Sequence, residues 1–117
     1  MRVDENEMQK VILNLVMNGI ESSDSHDPIA LEVGYSNMPF LRVIDKGCGM
    51  SARFVRTELF KPFRTTKKQG LGIGLYQCRQ IVEAHGGRIE VSSSEGNGSV
   101  FTVWFDNSAI SRLQLQS

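Results

Sequence analysis

The sequence predicts an α+β protein, a two-layer α/β sandwich in which helices cover one face of a mixed, mostly antiparallel sheet. Two observations predict this class. Segments with helical and with alternating apolar periodicity follow one another in the order helix, hairpin, short helix, glycine-rich loop, helix and hairpin. The length of 117 residues fits one domain, and the apolar fraction of 40% is typical of a chain that buries a core.

Charge and cysteine content exclude several classes of protein. The 13 Lys and Arg residues balance 13 Asp and Glu residues, so no net charge attracts the chain to nucleic acid or to anionic lipid. Cys48 and Cys78 lie far apart in a sequence without a signal stretch or a run of 18 apolar residues. We therefore expect a reducing, cytoplasmic setting, with no nucleic-acid partner and no direct membrane contact.

The first predicted element is a helix from Asp4 to about Ser22. Asp4 can cap its N-terminus, with Glu7 three residues later. Helical spacing places apolar residues on one broad face, namely Met8, Ile12, Leu15, Val16 and Ile20. A narrow stripe on the other side carries polar residues, namely Lys10, Asn14, Asn18 and Glu21.

Two asparagines of this polar stripe suggest chemistry. Asn14 and Asn18 are four residues apart, so both can offer an amide oxygen to a hard cation such as Mg²⁺, and Glu21 follows one turn later. The ordinary alternative is that helix asparagines face solvent or cap a neighbouring backbone group. Both interpretations remain open from these residues alone.

A hairpin is predicted next, with strands at 29–35 and 40–44 around a turn at 36–39. Asp45 ends the second strand, where a buried carboxylate needs a hydrogen-bond donor such as the exocyclic amine of adenine. Gly47 and Gly49 would let the backbone approach a flat ring closely. The alternative is an ordinary turn between a strand and a helix.

A short helix and a glycine-rich loop follow the first hairpin. Ser51 is a candidate N-cap for a helix to about Leu59, which Pro62 stops. The loop QGLGIGL precedes the next helix, so its backbone N–H groups suit a phosphate, and basic side chains lie just upstream, at Arg64, Lys67 and Lys68. The loop matches neither the GxxxxGK[ST] nor the GxGxxG phosphate-binding pattern, and flexible surface loops look similar.

The last predicted elements are a helix from about Leu75 to Ala84, which the sequence HGG terminates, and a second hairpin. The hairpin strands are predicted at 88–93 and 100–105, around the turn EGNGS. Residues 106–117 form a polar tail. We therefore expect a domain at residues 1–105 and a tail at 106–117.

Four motifs occur in one order along the chain: VILNLVMNGIES, VIDKGCGM, LFKPFRTTK and QGLGIGL. In this order they resemble the N, G1, F and G2 boxes of the ATP-binding catalytic domain of bacterial sensor histidine kinases. That domain belongs to the wider Bergerat-fold (GHKL) family, together with type II topoisomerases. The resemblance covers about residues 4–105 and implies the Bergerat ATP-binding fold.

The resemblance implies that the chain binds ATP and Mg²⁺. By motif position, Asn18 would be the Mg²⁺ ligand, Asn14 would help to hold metal or phosphate, and Asp45 would accept from the adenine amine. Lys67 would join the two asparagines as a catalytic residue. The other residues implied to bind ATP are Glu21, Gly47, Gly49, Met50, Phe63, Thr65, Thr66, Gly70, Leu71, Gly72, Ile73, Gly74, Leu75 and Ser99. Phe60, Phe63 and the basic residues after them would form a lid over the nucleotide.

The reaction implied is transfer of the γ-phosphoryl group of ATP to a histidine on a separate dimerisation domain of the same kinase, with a response regulator downstream. Asn14 stands where ATP-hydrolysing relatives have a Glu, and an amide cannot act as a general base, so transfer is favoured over hydrolysis. Neither His26 nor His85 resembles the acceptor. The setting expected is the cytoplasm, including the cytoplasmic part of a membrane-bound sensor.

Two other functions remain as alternatives. One is a non-catalytic nucleotide-sensing or protein-interaction module that has the same fold. The other is an anti-sigma-type serine kinase, which would normally carry a Glu at the position of Asn14 and therefore ranks lower.

Overall fold

Two helices lie side by side across one face of a four-stranded sheet in the computed structural model, which describes residues 5–23, 28–61 and 74–106. The elements are α1 (Glu5–Ser22), β1 (Ala30–Ser36), β2 (Met38–Asp45), α2 (Ala52–Thr57), α3 (Leu75–Ala84), β3 (Arg88–Ser93) and β4 (Ser99–Trp104). The described strands are ordered β1-β2-β4-β3, and each pairs antiparallel with its neighbour. This arrangement confirms the predicted two-layer fold class. Within the described residues, no helix is both long and apolar enough to cross a membrane.

Local signals locate most element ends correctly. Helix α3 has the predicted bounds, and the Ser51 side chain caps α2 by accepting a hydrogen bond from the Phe54 N–H at 3.1 Å. The first hairpin turn is shorter than predicted. Its strands continue to Ser36 and resume at Met38, and Asn37 alone makes the reversal with a φ of 63°. Asparagine tolerates this left-handed conformation better than most residues, which explains the tight turn.

The core lies between the helix pair and the sheet. Val11 and Leu15 of α1 are fully buried, and Val82 and Cys78 of α3 pack beside them. The strands complete this cluster with buried side chains, namely Val43, Phe101 and Val103. Val11 was not assigned to the predicted apolar face of α1, so that prediction is partly wrong.

The buried face of α1 is rotated relative to the predicted one, so that Ile20 is 51% exposed and Asn14 only 7%. The face that packs includes Val11 and Gly19, which were not assigned to it. Periodicity locates an apolar face, but the packing partner decides its centre, and α1 packs against both β2 and α3. The polar stripe thus borders the core instead of lying opposite it.

The open face of the sheet is covered by its own long side chains. The rings of Phe40 and Trp104 meet edge to face with centroids 5.3 Å apart. The Arg42 guanidinium lies 4.3 Å from the Phe40 ring centroid, and that of Arg88 lies 5.3 Å from the Trp104 centroid. A side chain on Gly34 would collide with the Phe40 ring, so the glycine lets this ring lie across β1. Each cation–π contact at such a site is worth about 0.5–1 kcal/mol.

Candidate functional site

A row of three polar side chains crosses the sheet at one end of its strands. Ser99, the first residue of β4, pairs with Asp45 of β2 on one side and with Ser93 of β3 on the other. Directly opposed residues of antiparallel strands carry their side chains on the same face. Contact between Gly19 of α1 and Asp45 identifies this face as the one that the helices cover. The predicted residues Asp45 and Ser99 are therefore brought together.

Asp45 is a buried carboxylate, with 4% of its surface exposed. Its Oδ1 accepts a hydrogen bond of 2.8 Å from the Gly47 N–H, which satisfies one of the two carboxylate oxygens. A β-carbon on Gly19 would lie 3.7 Å from Oδ2 and 3.1 Å from the Ile29 Cδ1 atom. Helix α1 and Ile29 thus form one wall beside this carboxylate.

The turn after Asp45 is held from both sides by backbone contacts. The Cys48 N–H donates to the Ser22 carbonyl at the end of α1 at 3.2 Å, and the Cys48 carbonyl accepts from the Gly96 N–H at 2.7 Å. A side chain on Gly47 would collide with the Ser22 carbonyl, and one on Gly49 would collide with that of Ser94. Gly47 and Gly49 are therefore required by the close approach of neighbouring backbone, a role beside the predicted one of lining a flat ring.

Ser93 joins this turn to the end of β4. Its hydroxyl accepts from the Met50 N–H at 2.8 Å and donates to the Gly98 carbonyl at 2.9 Å. Its Oγ also lies 2.8 Å from the Ser99 Oγ. The predicted residues Met50 and Ser99 are thus linked through a serine that sequence reasoning did not single out.

Asn14 and Asn18 lie together on α1, as the four-residue spacing predicts. The Asn18 Nδ2 donates to the Asn14 Oδ1 at 3.4 Å. Asn14 is buried and Asn18 half-buried, so neither has the fully exposed position of an ordinary surface asparagine. Glu21 is exposed near the end of the same helix. The two amides therefore border the core, and Asn18 directly precedes Gly19, the residue that lies against Asp45.

Only the last residues of the glycine loop are described. Gly74 precedes α3, and its N–H donates to the Gln77 side chain at 3.0 Å, while Leu75 begins the helix and packs against the core. A phosphate could receive the Gly74 N–H only if Gln77 released it. The remaining predicted residues of this region lie outside the described residues: Phe63, Arg64, Thr65, Thr66, Lys67, Lys68, Gly70, Leu71, Gly72 and Ile73.

The cysteines and the described histidine do not form a metal or acceptor cluster with one another. Cys48 is exposed, whereas burial raises the pKa of the Cys78 thiol to about 12. The His85 Nδ1 lies 2.6 Å from the Ile81 carbonyl at the end of α3. No group of three or more His, Cys, Asp or Glu residues in the described ranges could hold a metal ion.

Sequence reasoning missed four residues that shape the site: Gly19, Ser22, Ser93 and Gly98. Gly19 had a detectable signal, because a glycine inside a helix costs about 1 kcal/mol relative to alanine and usually marks close packing. Gly98 has a φ of 77°, and a side chain there would collide with the Asp45 carbonyl. Ser22 and Ser93 act through contacts with residues distant in sequence, which no local pattern indicates.

Comparison with known proteins supports the interpretation of the four motifs given in the sequence analysis. Residues 3–109 match the family described as histidine kinase-, DNA gyrase B-, and HSP90-like ATPase. The sensor histidine kinase ZraS of Escherichia coli (strain K12) is 38% identical over 104 residues, which are 88% of this chain and 22% of ZraS. Sporulation kinase C of Bacillus subtilis (strain 168) is 34% identical over 101 residues, which are 86% of this chain and 23% of the sporulation kinase. The chain spans about a fifth of the length of these curated relatives.

Solved structures with the same fold include histidine kinase domains. The catalytic domain of histidine kinase ThkA, in a nucleotide-free form, has a TM-score of 0.76 and 31% identity, and the likeness covers 90% of this chain and 70% of that one. Full-length ShkA in complex with AMPPNP has a TM-score of 0.74 over 87% of this chain and 22% of its own. Its identity of 24% makes this a likeness of fold alone.

Proposed function

Because the chain belongs to the family of histidine kinase-, DNA gyrase B- and HSP90-like ATPases, we propose that it binds ATP as its Mg²⁺ complex and donates the γ-phosphoryl group to a histidine on another domain. The observation that carries the proposal is the environment of Asp45. Its carboxylate is buried and has one oxygen bonded to the Gly47 N–H. A buried carboxylate is stabilised by further donors, and the 6-amino group of adenine is a donor of the right kind.

We place the adenine against the Asp45 carboxylate, beside the backbone turn that follows β2. Asp45 would accept from the amine, and Ser99 lies beside it in register across the sheet. Gly47, Gly49 and Met50 belong to the backbone segment that follows Asp45, so they would line the flat sides of the ring. Contacts of this segment with Ser22 and Gly96 hold it in place before nucleotide arrives.

The donor chemistry of α1 fits Mg²⁺, which prefers oxygen ligands and commonly takes only one or two from protein, filling its shell with phosphate and water. Asn18 would supply an amide oxygen, and its bond to Asn14 would hold that side chain in one orientation. Glu21 would lie at the margin of this site. When bound, Mg²⁺ would neutralise charge on the phosphates during transfer.

We infer phosphoryl transfer, and not hydrolysis, from the nature of Asn14. An amide has no basic lone pair with which to take a proton from water, so this chain would hold ATP without activating a water molecule at that position. Phosphoryl transfer needs mainly positioning and charge neutralisation, which suits such a site. Lys67 would contribute charge neutralisation.

The segment between α2 and α3 completes the proposed site. Phe63, Thr65, Thr66 and the residues from Gly70 to Leu75 would wrap the phosphates as a lid. Its flanks are connected, because the Arg79 guanidinium of α3 lies 4.9 Å from the ring centroid of Phe60. We place the ATP-binding domain at residues 1–105 and a polar tail at 106–117.

Partners follow from the reaction. The acceptor would be a histidine-bearing dimerisation domain of the same kinase, and the phosphoryl group would pass from it to a response regulator. We place these events in the cytoplasm. A nucleotide-sensing or protein-interaction module without transfer is the second candidate, since the contacts around Asp45 would serve binding alone equally well.

The first experiment measures ligand-induced stabilisation. A non-hydrolysable ATP analogue with Mg²⁺ should raise the melting temperature of the 117-residue chain. Asp45→Ala should abolish the shift, and Glu32→Ala, which removes an exposed carboxylate from the open face of the sheet, should leave it unchanged. An unshifted wild-type protein at millimolar nucleotide contradicts ATP binding.

The second experiment separates transfer from sensing. The chain is mixed with the histidine-bearing domain of its own parent protein and with γ-labelled ATP. Acid-labile, base-stable label on that domain is expected for phosphohistidine. Label that stays absent while ATP saturates the site would favour the sensing module.

A further inference from the structure

Ser93 makes three polar contacts at once, and their geometry determines where two protons lie. Its Oγ is 2.8 Å from the Met50 nitrogen, 2.9 Å from the Gly98 carbonyl oxygen and 2.8 Å from the Ser99 Oγ. Each distance is that of a hydrogen bond, so each contact requires one proton between its two atoms.

A count of protons assigns these bonds. The Met50 amide supplies the first proton, since a backbone N–H can only donate. The Gly98 carbonyl has no proton, so Ser93 must donate its single hydroxyl proton there. The proton in the Ser93–Ser99 contact must then come from Ser99. The reverse orientation would leave two oxygen atoms 2.9 Å apart with no proton between them.

This assignment fixes the character of the Ser99 hydroxyl. With its proton committed to Ser93, Ser99 has only lone pairs to offer to anything that enters the site. Asp45, opposite it in the sheet, is a carboxylate and also accepts. The polar row at the end of β2 and β4 therefore presents acceptors and no side-chain donor, a pattern that favours a ligand edge with N–H groups.

We propose that Ser93 is a specificity-determining positioning residue: it holds Ser99 as an acceptor and thereby makes the site prefer a 6-amino purine over a 6-oxo purine. The inference rests on the proposed nucleotide binding. Ser93 touches no base itself and acts through Ser99 and Met50. Without Ser93, the Ser99 hydroxyl could rotate and donate to a 6-oxo group.

The test compares two nucleotides that differ at this position of the ring, ATP and inosine triphosphate. Their dissociation constants are measured by calorimetry with the 117-residue chain. The wild type should prefer ATP, and Ser93→Ala should lower the ATP-to-inosine-triphosphate preference about twofold to tenfold, the range for one ordinary hydrogen bond. Ser93→Thr keeps the hydroxyl and should retain the preference.

Three further variants test the same proposal. Ser92→Ala changes the neighbouring, exposed serine of β3 and should leave both constants unchanged. Ser99→Ala should lower the preference as Ser93→Ala does, and the double variant should lower it no further, because both act through one hydroxyl. Ser99→Ala gives this readout even where Ser93→Ala fails to fold.

The outcomes separate the inference from the proposed function. A wild-type chain that binds neither nucleotide overturns the proposed function itself. If the wild type binds and Ser93→Ala lowers the affinity for both nucleotides equally, Ser93 has only a structural role and the inference is overturned. Additive effects of the two alanines on the preference, or an unchanged preference in Ser99→Ala, overturn it too.

Discussion

Gly19 of α1 lies directly against Asp45 of β2, so that a β-carbon on the glycine would lie 3.4 Å from the β-carbon of the aspartate. The two residues belong to different motifs and are brought together only by the packing of α1 on the sheet. Since Asn18 precedes Gly19, this contact sets the spacing between the proposed metal ligand and the proposed adenine ligand. The contact joins the proposed metal-binding part of the site on α1 to the proposed adenine-binding part at the end of β2.

The effect of substituting Gly19 on stability and on ATP binding should therefore depend strongly on the size of the new side chain. Gly19→Ala should fold well and bind nucleotide, because the Ile29 Cδ1 atom can yield slightly and alanine favours the helix by about 1 kcal/mol. Gly19→Val adds branched methyl groups beside the carboxylate. It should lower the free energy of unfolding by about 1–3 kcal/mol and weaken ATP binding. Denaturant unfolding and calorimetry measure both effects, and tight ATP binding by Gly19→Val would contradict the arrangement.

Two glycines of the β3–β4 turn form a matched pair. Gly96 and Gly98 both have positive φ, of 80° and 77°, but only Gly98 lies against the Asp45 carbonyl. Gly96→Ala should cost about 1–2 kcal/mol for the left-handed backbone alone. Gly98→Ala should cost more, and it should also weaken ATP binding because it displaces the backbone of Asp45. Equal losses of stability in the two variants would refute this contact.

Removal of the Asn18 amide should affect binding in a metal-dependent way. Asn18→Ala should lower the affinity for Mg²⁺-ATP by about tenfold or more and leave the affinity for metal-free ATP nearly unchanged. Asn6→Ala, in the exposed first turn of the same helix, controls for loss of an asparagine from α1. Titrations with Mg²⁺ and with chelator measure the difference. Parallel losses in both conditions would argue against Asn18 as the ligand.

The buried Cys78 thiol should make stability fall at alkaline pH. Its pKa is raised from 9.0 to about 12 by burial, so the folded protein keeps the thiol protonated where the unfolded chain ionises. Stability is fully present below about pH 9 and is lost as the pH rises from 9 towards 12. Between pH 8 and pH 10.5 the wild type should lose about 1–2 kcal/mol more than Cys78→Ala. Denaturant unfolding at the two pH values measures this difference, and parallel losses would contradict it.

The sequence predicted those features that short-range chemistry determines. Ser51 caps α2, α3 begins and ends where its periodicity and the HGG sequence indicate, and Asp45 ends β2 as a buried carboxylate. In each case the deciding residues lie within about one helical turn or one strand of one another.

The features that were missed depend on contacts between distant segments. The buried face of α1 follows from its position between β2 and α3, so periodicity alone misplaced Ile20 and Asn14. Ser93 acquires its role from Met50, which lies 43 residues earlier in the chain. A serine in a strand has no local signal that distinguishes such a role from a solvent-facing one.

The packed rings and guanidinium groups on the open face of the sheet have a spectroscopic consequence. One of these rings belongs to Trp104, the one tryptophan of the chain, whose indole N–H donates to Glu90. Trp104 and Ser99 are five residues apart at opposite ends of β4, roughly 17 Å, and Trp104 faces away from the helices. Its fluorescence should therefore report the loss of the sheet on unfolding, with little change when a nucleotide enters on the other side. Trp104 therefore serves as an intrinsic probe of folding, whereas a fluorescence titration of nucleotide binding needs a label on the ligand.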